Sequence, residues 1–111
     1  MSDFTPDRGD LIWLEFYPQA GREQMGRRPA LVLSPRLYNR KTGLALVCPV
    51  TSRIKGYPFE VPLPGGLKIQ GAVLSDQVKS LDWRIRKAKR AAKVDEPVVA
   101  EVLGKLSALL A

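Results

Sequence analysis

Every apolar stretch in the first 94 residues is no longer than a β-strand, and turn chemistry closes each one. Residues 11–16 (LIWLEF) follow Gly9-Asp10 and end at Tyr17-Pro18; residues 30–33 (ALVL) lie between Pro29 and Pro35; residues 44–50 (LALVCPV) open after Gly43. Short apolar runs bounded by Gly, Pro and Asp read as strands. Residues 57–63 (YPFEVPL) alternate, but their two prolines cannot donate to a ladder, which places that strand at an edge or beside a bulge. Pro64-Gly65-Gly66 forces a turn, residues 69–74 continue as a strand, and residues 89–94 supply one more. The first 94 residues therefore predict an all-β arrangement.

The end of the chain has a different period. Asp95 reads as an N-cap, Glu96 and Pro97 suit a first turn, and Val98, Val99, Val102, Leu103, Leu106, Leu109 and Leu110 recur at helical spacing. Gly104 is the tolerated weak point of this helix. Five or six short strands closed by one helix predict a strongly bent sheet or partly open barrel, because curling limits exposed edges. With 111 residues, no repeat and no linker, residues 1–111 read as a single domain.

The residue types present exclude much chemistry. There is no histidine, so no imidazole serves as general base, metal ligand or pH switch. Cys48 is the only cysteine, which rules out an intrachain disulfide and a thiolate zinc cage, and its apolar run marks it as a buried hydrophobe. No metal and no cofactor are expected. The N-terminal MSDFTPDRGD lacks the basic start and apolar core of a signal peptide, and no apolar run suits a membrane span, so a cytoplasmic location is expected. With 18 Lys+Arg against 11 Asp+Glu, the net charge of +7 favours polyanionic or acidic partners.

Three polar loops collect the groups able to bind such a partner: residues 19–28 (QAGREQMGRR), 51–56 (TSRIKG) and 75–86 (SDQVKSLDWRIR). The basic stretch from Lys79 to Lys93 encloses Trp83; it reads equally as a single-stranded nucleic-acid surface and as a solvated face over a core tryptophan. Arg28 precedes Pro29, which restricts its backbone to extended geometry, and its guanidinium is suited to gripping a phosphate or to an ordinary surface ion pair. Glu23 can take a proton or pair with Arg22 or Arg27, and Thr51 can donate to phosphate or close a strand end. No one of these is diagnostic by itself.

Taken together, the segments GDLIWLEFYP, GREQMGRRPALVLSP, YNRKTGLALVCPVTS, KGYPFEVPL, GAVLSDQVKSLDWR and LGKLSALL resemble the MazF/PemK family of bacterial toxin endoribonucleases, in order from about Gly9 to the end. The likeness is greater to the MazF branch. It implies a mainly β fold, a small SH3-like or PemK-like β-barrel with a C-terminal α-helix, assembled as a homodimer. It also implies metal-independent cleavage of single-stranded RNA at a short sequence, and an antitoxin whose flexible acidic tail lies over the RNA groove. Arg28 and Thr51 match the catalytic arginine and threonine of that branch, and Glu23 the acidic position of its GxEQ motif. Asp76 and Gln77 match a segment near the RNA path. Leu74 stands where the PemK branch has arginine, so that branch's arginine–aspartate pair does not transfer and Asp76 is read as a binding residue; Arg22 stands where some members have histidine or serine.

RNA cleaves itself once its 2′-hydroxyl is aligned on the adjacent phosphorus, so the protein needs only to take a proton, stabilise the phosphorane and protonate the leaving oxygen. The roles expected are Glu23 as general base, Arg28 as phosphorane stabiliser and proton donor, and Thr51 as oxyanion donor. Arg53, Lys55, Tyr57, Gln77 and Lys79, with Asp76, are expected along the RNA path. Two alternatives stay open: a non-enzymatic gyrase-binding toxin of the CcdB-like class on the same fold, and a plain nucleic-acid-binding barrel.

Overall fold

Strand β1 (Asp10–Phe16) lacks a polar alternation because both of its faces are covered. Leu11 belongs to one buried cluster, with Leu31, Cys48, Val50, Val73, Val99 and Val102, and Ile12 and Leu14 belong to another, with Ala30, Val32, Val47 and Trp83. Successive side chains of a strand point to opposite faces, so Leu11 to Leu14, covered on both sides, are apolar at every position. The computed structural model describes residues 4–16 and 26–111.

Seven strands form one antiparallel sheet: β1, β2 (Gly26–Val32), β3 (Leu44–Thr51), β4 (Glu60–Pro62), β5 (Ala72–Leu74), β6 (Lys79–Asp82) and β7 (Lys89–Lys93). The spatial order is β4-β5-β3-β2-β1-β7. β3 is long enough to carry β2 on one edge and, on the other, first β6 along Leu44–Val47 and then β5 at Val50 and Thr51. Among the described residues β4 and β7 do not pair, so the sheet is not closed there. Helix α2 (Glu96–Leu110) covers the first cluster with Val99 and Val102.

Most expected elements are present, and several are corrected. Residues 4–94 are not all β: helix α1 (Arg36–Thr42) stands between β2 and β3. β6 occupies a segment read as loop, and the strand read at residues 57–63 is confined to Glu60–Pro62. Asp95 holds the N-cap position of α2 in extended conformation, yet its side chain makes no capping bond. Leu109 and Leu110 are exposed rather than part of the helix's buried stripe. Trp83 is core: it is 7% exposed, and its Nε1 donates to the Asn39 carbonyl at 2.9 Å, which removes it as a base-stacking platform. No helix of the described residues is long and apolar enough to cross a membrane.

Candidate functional site

The register of β2 on β3 decides which of the loop-borne polar residues meet. The two strands pair Val32 with Val47, Leu31 with Cys48 and Ala30 with Pro49, where the pairing ends. Carried two residues further, the same register sets Arg28 across from Thr51. By strand alternation both share the face of Val47, whose partner on β6 is Lys79. A guanidinium, a hydroxyl and an ammonium from three strands are thereby directed to one side of the sheet.

A groove of about 950 Å³ opens there. Of the residues expected at the site, Arg28, Thr51, Arg53, Gln77 and Lys79 line it. Lys55, Tyr57 and Asp76 are exposed and do not line it, and Glu23 lies outside the described residues. Tyr57 is stacked on Phe59 with ring centres 5.3 Å apart, and Lys55 Nζ stands 5.9 Å from the Tyr57 ring.

The two adjacent arginines of β2 differ in what they face. Arg27 opposes Glu15 across the ladder, and their side chains form an ion pair at 3.7 Å. Arg28 opposes the buried Leu14 and, among the described residues, has no ion-pair partner. An arginine presented to a groove without a carboxylate retains its fork of donors for an anion. Thr51 is half-buried, and its Oγ1 accepts the Arg53 N–H at 3.0 Å, a local turn that starts the next loop and leaves the hydroxyl proton free to donate elsewhere.

Thr51 is held in place from behind by Gly71. A Cβ on Gly71 would lie 2.1 Å from the Thr51 carbonyl oxygen, and the glycine's φ of +127° is outside the range of ordinary side chains. Sequence reasoning missed this contact, as it missed Lys68 and Gln70, which line the groove from the segment between β4 and β5. It also missed Glu60, 7% exposed, whose carboxylate accepts backbone N–H groups of Lys55 and Gly56. Lys68 had no signal beyond following a Pro-Gly-Gly turn, and Gln70 fell within residues 69–74, read as a strand of which only Ala72–Leu74 is one; Glu60 was visible as the one acid in an otherwise apolar strand.

The basic stretch that follows β5 does not form one surface toward this groove. Lys79 lines it. Arg90 and Lys93 pair instead with the fully buried Asp10 at 3.8 and 3.5 Å, Arg84 lies over the Trp83 ring and donates to the Arg40 carbonyl, and Arg86 donates to the Glu15 carbonyl. Cys48 is buried, and that burial, reinforced by the negative charge of Asp76, pushes its thiol up to about 12, so it is not a thiolate nucleophile at neutral pH. Among the described residues no group of three or more His, Cys, Asp or Glu side chains is arranged to hold a metal ion.

The chain is similar to known proteins over nearly its whole length. The chain is 47% identical over 110 residues to the endoribonuclease toxin MazF of Escherichia coli strain K12, covering 99% of this chain and 98% of the relative. It is 41% identical to the Escherichia coli endoribonuclease PemK, over 94% of this chain and 81% of that one. A MazE-MazF crystal structure (Form-II) from Deinococcus radiodurans superposes with a TM-score of 0.93 at 61% identity, covering 97% of each chain. The model of the PemK-like, MazF-like toxins matches residues 7–110, and the chain belongs to that family of type II toxin-antitoxin systems.

Proposed function

We propose that this protein is the toxin of a type II toxin-antitoxin pair, an endoribonuclease that cuts single-stranded messenger RNA at a short sequence and so stops translation. The observation that carries this reading is the convergence of Arg28, Thr51, Arg53 and Lys79 on one groove, with Arg28 unpaired among the described residues. Relatives named endoribonucleases supply the reaction class, and a MazE-MazF complex from Deinococcus radiodurans supplies the kind of protein partner. On this reading the chain is one domain whose bent sheet forms most of a small SH3-like barrel, it works as a homodimer in the cytoplasm, and a flexible acidic antitoxin segment competes with RNA for the cationic groove.

In the mechanism proposed, the groove's cations hold the backbone so that the 2′-hydroxyl is in line with the leaving 5′-oxygen. Glu23 takes the hydroxyl proton. Negative charge accumulates on the equatorial oxygens of the phosphorane, where the Arg28 guanidinium and the Thr51 hydroxyl donate to it; Arg28 gives a proton to the leaving oxygen and is reprotonated from solvent as Glu23 releases the proton it took. The chemistry supplied is alignment and electrostatic stabilisation, and groups already oriented before the reaction are worth most when charge develops. Arg53, Gln77 and Lys79 contact RNA within the groove, and Lys55, Tyr57 and Asp76 extend the path along the neighbouring surface.

The test is incubation of the purified protein with a defined single-stranded RNA in the presence of chelator. Cleavage leaving 2′,3′-cyclic phosphate and 5′-hydroxyl ends is expected, and it separates this reading from a non-enzymatic gyrase-binding toxin and from a plain RNA-binding protein. Arg28→Ala, shown to be folded, should lose on the order of 100- to 1000-fold in rate, the usual cost of removing one transition-state donor. Parental rates in that variant, or 5′-phosphate products, would overturn the mechanism.

A further inference from the structure

The loop that leaves the groove after Thr51 is held from outside the groove by a buried carboxylate. Glu60, at the start of β4, is 7% exposed and has no ion-pair partner among the described residues. Its Oε1 accepts the Gly56 N–H at 2.8 Å, and both oxygens accept the Lys55 N–H at 3.2 Å. A buried carboxylate is costly to desolvate, and the charge-assisted bonds from the Lys55 and Gly56 amides that offset this cost are stronger than neutral ones. All of that interaction is directed at one short segment of backbone.

The segment is the one that carries Arg53 and Lys55. At its start Thr51 Oγ1 fixes the Arg53 N–H, and at its end Glu60 fixes Lys55 and Gly56, so residues 53–56 are pinned on both sides of Ile54. The Glu60 N–H also closes onto the Tyr57 carbonyl at 3.1 Å, which seals the loop at its base. Arg53 lines the groove while Glu60 does not. Without the carboxylate, an exposed loop with Gly56 at φ +80° has many conformations open to it, and ordering it would have to be done by the RNA itself.

We propose that Glu60 is a positioning residue for RNA recognition: it touches no substrate, and its carboxylate holds residues 53–56 so that Arg53 is presented in the groove before RNA arrives. This rests on the endoribonuclease reading. Glu60→Gln keeps the shape but replaces one acceptor by an amide that donates toward N–H groups; Glu60→Asp keeps the charge and withdraws both oxygens by one methylene. Each variant should raise KM for a short cognate RNA by about 10-fold and change kcat by less than about 2-fold, the signature of lost binding organisation rather than lost chemistry.

Combination with Arg53→Ala distinguishes positioning from a general structural role. If Glu60 acts through the loop, the double variant Glu60→Gln/Arg53→Ala should be little worse than Arg53→Ala alone, because neighbours acting on one interaction are not additive. An unchanged KM in the folded variants, a fall in kcat at constant KM, or full additivity with Arg53→Ala would overturn the assignment. So would loss of the fold in both Glu60 variants, which would make the carboxylate a folding element instead. The parent protein measured alongside separates the two claims: if it cuts no RNA, the endoribonuclease reading fails, whatever the variants do.

Discussion

Thr51 occupies its place at the groove only because the residue behind its carbonyl has no side chain. Gly71→Ala would drive a methyl to within 2.1 Å of that oxygen at a φ of +127°, so strand β5 or Thr51 must move. A loss of about 2–4 kcal/mol is expected, from backbone strain and forced displacement together, and a thermal melt should show Tm falling by roughly 10 °C or more. A melt within about 2 °C of the parent would show that the contact is relieved without cost. At this scale the sequence was informative wherever a residue's role is local. Arg28 is legible beside Pro29, Thr51 at a strand end, and Cys48 within its apolar run. Gly71, Lys68 and Gln70 act on a groove whose other wall is some 20 to 40 residues away in the chain, and spacing within one segment says nothing about that.

Among the elements, β6 and α1 are the two that the apolar pattern does not announce. β6 (KSLD) is exposed at Lys79 and Ser80 and becomes a strand through its pairing with Leu44–Val47. Helix α1 has only seven residues, leaves Leu37 and Tyr38 exposed, and buries only Asn39. Its N-terminus is capped by a distant residue: the Asp7 Oδ1 accepts the Arg36 N–H at 2.9 Å, with an Arg36–Asp7 ion pair at 3.7 Å. Burial pushes the Asp7 carboxyl up, but the backbone N–H groups of Arg36 and Arg8 and the positive charges of Arg36 and Lys93 together outweigh it and hold the pKa below its usual value. Asn39 anchors the helix from below, accepting the Ser34 hydroxyl at 2.5 Å and donating to the carbonyls of Pro6 at 2.8 Å and Ser34 at 3.0 Å. Asn39→Ala leaves those three buried groups short of a partner, and urea unfolding should show a loss of about 2–3 kcal/mol. A loss below about 0.5 kcal/mol would mean that water replaces the amide.

Over the whole molecule, the net charge of +7 matters less than its division between cations engaged by the protein and cations left to a ligand. Arg90 and Lys93 compensate the buried Asp10, Arg27 pairs with Glu15, and Arg36 pairs with Asp7. Along the groove, Arg28, Arg53, Lys68 and Lys79 have no ion-pair partner among the described residues. A cation neutralising a phosphate of single-stranded RNA releases condensed counterions, and each such contact adds about 0.7 to the slope of log affinity against log salt. Lys68 contacts the groove from a segment outside the catalytic proposal, so Lys68→Ala should reduce that slope by about 0.7 and weaken binding alike for cognate and scrambled RNA. Lys93→Ala removes the same charge from the opposite end of the sheet order and should leave the slope unchanged. Binding titrations over a series of salt concentrations compare the two. Equal slopes for both variants would mean that the RNA responds to the protein's total charge and not to the groove, and the site would then have to be sought elsewhere on the sheet.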